Sequence, residues 1–247
     1  MSAISLLGAV QAVCLEIGIP APATCVGSVA QQVKQLVAYA NVTGDALRDE
    51  ADWPVLRKLA TITTVNGTAG YTVAGQDGAT VLPCSRIIQE TGWDSTNSWY
   101  FAGSVTDTEW NALTYGIGSS PLRKVWRTTD DDEIEIFPTP TASGDVLKIS
   151  FVTTYWAKTA GNVFKSVLEA DDDYHLFNDR LFILGIKWRF LEQKGLPFVA
   201  SKAEFDRILS IRKAAARTAR TLTLDSRRAR SRHFVDFRNV PSTGFGT

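Results

Sequence analysis

The sequence predicts an α+β fold: a helical bundle made from the N- and C-terminal segments, an inserted antiparallel β-rich domain, and an extended C-terminal arm. Changes of period carry this expectation. Apolar residues recur every three or four positions up to about residue 58 and again from about residue 170. Between about 60 and 157 they alternate every second position. Neither helical segment can bury its apolar stripe alone, so the two must pack on each other. The last stretch has no sustained apolar period, which predicts an extended arm. The expected divisions are 1–58 and 159–220 for the bundle, 59–158 for the β-rich insertion, and 221–247 for the arm.

The elements follow in order. Leu6, Val10, Val13 and Ile17 line one helical face, and Gly18 with Pro20 ends that helix. Ser28 and Gln31 have capping-box spacing, ahead of a stripe of Val29, Val33, Leu36 and Ala40. "GDALRDEADWPVLRK" predicts a separate, shorter helix, with Pro54 disfavouring helix at Trp53. "TITTVNGTAGYTV", broken at Asn66-Gly67, predicts a β-hairpin. "EIEIF", the turn "PTPTASGD" and "VLKISFVTTYW" predict another, with Leu147, Ile149, Phe151 and Thr153 on one face. The aromatic stretch between them predicts irregular chain with short strands. "EADDDY" places Asp171, Asp172 and Asp173 at an expected helix start, where the dipole favours negative charge. Phe177, Leu181, Leu184, Trp188 and Leu191 form one stripe of that helix, and Ile183, Ile186 and Phe190 a second, so it should be buried on two sides. Ser201 and Glu204 offer another capping box for a helix running to about 220.

Composition narrows the chemistry. No apolar run approaches the ~18 residues that span a bilayer, so no membrane partner is expected. Three cysteines, Cys14, Cys25 and Cys84, form no CxxC pair and suggest a reducing folding compartment. The two histidines, His175 and His233, have no second ligand at metal spacing, and neither a nucleophile elbow nor a phosphate loop is present. No cofactor, metal or catalytic residue is therefore expected. Asp130, Asp131, Asp132 and Glu133 read as a solvated hairpin turn rather than a calcium or acid–base site. Trp93, Trp99 and Trp110 read as core or interface residues, becoming a stacking platform only if exposed together.

The order of segments resembles the head-to-tail adaptor proteins of short-tailed phages, the family that includes tail tubular protein A. "AVQAVCLEIGIPAPA", "ALRDEADWPVLRK", "VLPCSRI", "IEIFPTPTASGDVLKISFVTTYW" and "DDDYHLFNDRLFILGIKWRFLEQKGLPF" carry the likeness, in the family's order, from about residue 8 to 212. The resemblance implies a structural virion protein at the head–tail junction, assembled in the host cytoplasm. It implies a ring, usually of twelve copies, between the portal protein and the tail nozzle or tail tube protein. Genomic DNA would pass through its channel without sequence-specific binding.

Zero net charge hides an asymmetry: residues 201–247 hold eleven Lys/Arg against four Asp/Glu, a net of +7, leaving −7 on the rest. Lys213, Arg217 and Arg220 fall on one helical face and continue into Arg227, Arg228, Arg230 and Arg232. Arginines alone would suggest nucleic acid. Phe234, Val235 and Phe237 add apolar anchors that phosphate does not need, and aromatic residues with arginine are typical of protein hot spots. These ten residues are the expected portal-binding set, since a guanidinium pairs bidentately with carboxylate. The competing readings are a nucleic-acid-binding protein that uses the arm, and a glycan-binding or carbohydrate-active virion component.

Overall fold

The computed structural model describes residues 4–115 and 123–216. Its described residues form two compact units, one from 4–57, 78–82 and 153–216, the other from 58–77, 83–115 and 123–152. The fold is α+β, with five helices and antiparallel sheets among the described residues.

The first unit is built on helices. In α1 (Leu6–Ile17) the Ser5 hydroxyl accepts from the Gly8 N–H, and Gly18 closes the last turn onto the Cys14 carbonyl. The expected stop at Gly18 is therefore the observed one. Helix α2 (Gln31–Glu50) buries Val33, Leu36, Ala40, Thr43, Gly44 and Leu47 along one stripe. Two expectations fail here. The Ser28–Gln31 box does not form: Ala30 is the N-cap, Ser28 accepts from the Ala30 N–H, and Val29 lies before the helix at 93% exposure. Nor is there a separate helix from Gly44, because α2 runs through it. A Cβ at Gly44 would lie 2.2 Å from the Trp156 ring, so this glycine marks a close approach and not a break.

Helix α4 (Asp179–Gln193) packs against α1, α2 and α5 (Val199–Ala216), which is why both of its apolar stripes are needed. Leu181, Leu184 and Leu191 are buried on one and Ile183, Ile186 and Phe190 on the other. Its start differs from the expected one. Asn178 is the N-cap, and Asp171–Asp173 lie in the preceding loop. Asp171 Oδ1 accepts from the Cys25 and Val26 N–H groups, and Asp173 Oδ2 from those of Glu169 and Ala170. Their main-chain carbonyls instead receive the Leu6 and Leu7 N–H groups at the start of α1. The acidic run thus serves a helix terminus 164 to 167 positions earlier in the chain, by its backbone. In α5 the Ser201–Glu204 box is also absent, since the helix begins two residues earlier and Glu204 pairs with Arg180.

The second unit carries most of the β structure, while a three-stranded antiparallel sheet of two-residue strands, Ala157–Lys158 between Phe164–Lys165 and Tyr174–His175, belongs to the first unit. Strand β9 (Val146–Thr153) is central to a six-stranded sheet with β1 (Arg57–Thr63), β3 (Ala74–Asp77), β4 (Thr80–Ile87), β5 (Trp93–Asp94) and β6 (Trp99–Tyr100). Leu147, Ile149, Phe151 and Thr153 are buried on one face, as their alternation predicts. A three-stranded sheet orders β2 (Gly70–Thr72), β8 (Glu133–Phe137) and β7 (Val125–Asp130). Both expected hairpins are overturned by this pairing. β1 pairs with β9 while β2 pairs with β8, so the chain reverses at Asn66-Gly67 without pairing its flanks. Likewise β8 and β9, either side of "PTPTASGD", lie in different sheets. Among the hairpins that do form is β7–β8, turning at the acidic run Asp130–Asp132 as the solvated-turn reading expects. Turn residues set where a chain reverses, whereas partner choice depends on which faces can be buried together.

The aromatic stretch contains a helix, α3 (Asp107–Tyr115), where irregular chain was expected. "TDTE" is a capping box that the sequence reading passed over. The Thr106 hydroxyl accepts from the Glu109 N–H, and the Glu109 carboxylate accepts from the Thr106 N–H. Trp110 then packs edge-on against Phe137, 5.9 Å between centroids, in a cluster with Val105 and Val125.

Candidate functional site

Of the expected portal-binding residues, only Lys213 lies within the described ones; Arg217, Arg220, Arg227, Arg228, Arg230, Arg232, Phe234, Val235 and Phe237 lie outside them. Lys213 sits in the last turn of α5, its Nζ 2.6 Å from Glu50 Oε2 at the end of α2. Near its other end α5 is tied by Glu204 to Arg180, 3.2 Å apart. Arg180 also pairs with Glu16 of α1, which takes Lys187 as a second partner. Burial would raise the Glu16 carboxyl, but Lys187 and Arg180 outweigh it and hold the group below its ordinary range.

Apolar attachment of α5 is narrow. Phe205 is its one buried residue, resting on Trp188 at 6.2 Å and over Gly185, where a Cβ would come within 3.2 Å of its ring. Ion pairs therefore fix the ends of a helix with a single deep anchor. The Lys213–Glu50 pair is solvent-reached on both sides, so Lys213→Ala should change stability by less than about 1 kcal/mol, read from urea midpoints. A larger loss would show that this pair, and not Phe205, holds α5 in place.

Beside that anchor lies a cluster that sequence reading missed. Arg189 follows Trp188 on α4, its Cζ 4.5 Å from the indole centroid, and Lys202 of α5 places Nζ 5.4 Å from the same ring. Arg189 Nη1 donates to Thr43 Oγ1 of α2 and to the Gly185 carbonyl. Burial pushes its guanidinium below the ordinary value, opposed in part by Glu192 one turn on. The one signal in sequence was a "KWRF" run inside an otherwise apolar helix.

The tryptophans do not assemble a stacking platform. Trp110 is buried, Trp99 is half-buried beneath the Arg123 guanidinium at 4.6 Å, and Trp93 alone of the three is exposed, at 46%. Among the described residues no His/Cys/Asp/Glu group could hold a metal, and no helix is long and apolar enough to cross a membrane. All three cysteines are free and buried, and burial with the Asp171 charge pushes Cys25 up to about 12. His175 is wholly buried and stacked on Phe182, 4.0 Å between centroids.

The described residues thus form an α+β protein whose helices are joined at the surface by ion pairs, and the basic residues of the sequence are concentrated in its last 47 positions, 201–247. Comparison with known families gives the class a name. Residues 1–233 match the family described as SU10 adaptor protein, and the chain belongs to that family of phage adaptor proteins. A search of curated proteins finds no match.

Proposed function

We infer that this protein is a head-to-tail adaptor of the virion: a ring joining the portal to the tail and lining the channel through which DNA leaves. The observation that carries the reading is the family match over residues 1–233, which reaches past α5 into the basic arm. In this reading residues 1–58 and 159–220 form the bundle that faces the portal, 59–158 meets the tail nozzle or tube protein, and 221–247 is the gripping arm. The portal-binding set of Lys213, Arg217, Arg220, Arg227, Arg228, Arg230, Arg232, Phe234, Val235 and Phe237 would lie on acidic and apolar portal surface, arginines pairing with carboxylates and phenylalanines excluding water. Net −7 on residues 1–200 suits a channel wall that repels phosphate and lets DNA slide. Copies, twelve in the expected ring, assemble on the portal in the host cytoplasm and act without catalysis.

The test is the mass of the purified portal ring before and after addition of this protein, with and without residues 221–247. Saturable addition of the full chain, lost on truncation, is the expected result. Folded full-length protein that adds nothing to the portal would overturn the reading.

A further inference from the structure

Two charge clusters on this chain are complementary in sign. The first is the Trp188–Arg189–Lys202 cluster. Among the described residues neither Arg189 nor Lys202 forms an ion pair, and the buried Trp188 Nε1–H has no acceptor. Two cations over one indole make a compact basic site with an apolar floor at Phe205. The second is the β7–β8 turn, where Asp130, Asp131 and Glu133 are exposed and Asp132 is partly so. None of these four carboxylates forms an ion pair among the described residues; Asp130 accepts only from the neighbouring Asp131 N–H.

We propose that the acidic β7–β8 turn of one copy docks on the Trp188–Arg189–Lys202 site of the next. The occupant is a second copy because this chain itself presents the matching charge. A carboxylate turn can meet two clustered cations edge-on, whereas duplex DNA requires a longer row of them. Donor and acceptor patches differ, so the contact is head-to-tail, the type that closes into a ring when its rotation permits. Trp and Arg are also the residues that most often dominate such contacts. The proposal rests on the ring reading above and names the contact that would set its register. Two patches of opposite sign would accelerate encounter and reject misaligned neighbours.

The experiment uses the full-length chain. Self-association is followed by light scattering over a range of concentration and salt for the wild type, D130K/D131K, K202E and the joined variant. All the substituted side chains are exposed, and thermal melts followed by circular dichroism verify folding. Each separate variant is expected to weaken association by at least about tenfold, while the joined variant associates more tightly than either. R189Q removes the charge of a half-buried guanidinium that donates to Thr43 and Gly185, so its melt is read beside its association, which should weaken as that of K202E does. Losses that simply add, or separate variants that associate like the wild type, overturn the docking proposal and leave the ring standing. A wild type that stays monomeric at every concentration overturns the docking proposal, while addition to the portal then decides the ring reading separately.

Discussion

Trp156→Ala should lower stability by about 3–5 kcal/mol, the cost of emptying a large aromatic site in a core that cannot fully collapse. Trp156 is completely buried, stacked at 6.2 Å on Phe177 and set 6.3 Å from Phe182. Its indole N–H donates to Asp45 Oδ1 of α2 at 3.0 Å, so the substitution also removes a buried donor and its partner's hydrogen bond. The ring lies where a Cβ on Gly44 would be, and Gly44→Ala tests the same contact from the other side. In an exposed helix that change would stabilise by about 1 kcal/mol. Here the methyl group would overlap indole carbons, so the sign reverses and a loss of about 1–3 kcal/mol is expected. Urea unfolding of both variants checks this. A Gly44→Ala protein more stable than wild type would show that α2 and Trp156 are not in contact as described.

Acid should weaken the protein well before its carboxylates protonate. Burial lowers the His175 pKa to about 4, with Asp179 and the Phe177 backbone opposing the shift only in part. Its Nε2 lies 3.6 Å from Asp179 Oδ1, beyond a normal hydrogen bond, and that oxygen accepts from the Ile4 N–H. The imidazole is therefore neutral in the folded protein at pH 7, whereas in the unfolded chain it titrates near 6.5. Between pH 6.5 and 4 the unfolded state binds more protons, so stability falls as pH drops through that window and levels off below it. The full loss is about 3 kcal/mol.

The groups held low by partners act in a different range. In Asp94 burial raises the carboxyl but Asn97 and Lys124 prevail, and in Asp173 burial is outweighed by Lys165 and two backbone N–H groups. Their contributions are intact above the ordinary carboxylate pKa and disappear only as pH falls below it. His175→Phe, a ring of similar size beside Phe182, should thus flatten the slope from pH 6.5 to 4.5 and leave the steeper decline at lower pH. Urea midpoints across pH 7 to 4 distinguish the two. An unchanged slope in the variant would assign the acid sensitivity to another group.

Much of the helical unit was legible in sequence because its signals are local. The 3.6-residue stripes of α1 and α4 fix their buried faces, and Gly18 stops α1 by its own backbone preference. The alternation in "VLKISFVT" likewise determines which side of β9 is buried, whichever strands lie beside it. A local signal that was available and missed, the Thr106–Glu109 box, belongs to the same class.

What failed was everything decided by partners distant in the chain. Gly44 breaks a helix by propensity, yet α2 continues because the missing Cβ admits Trp156 from 112 positions later. Asp171–Asp173 have the composition of a helix start, but their hydrogen bonds go to their own loop, to Cys25 and Val26, and to the first turn of α1. Two good turn sequences join strands of different sheets, because a turn specifies only a reversal and burial selects the neighbour. The basic cluster at Trp188 was equally hidden, since Lys202 and Arg189 meet over one ring only when α5 lies on α4. Sequence alone thus determined the fold class, the buried faces of α1 and α4 and the segregation of basic charge to the C-terminal part of the chain. Tertiary structure decided strand partners, helix continuity and which charges remain uncompensated, because each of these is the outcome of competition among contacts that no local window contains.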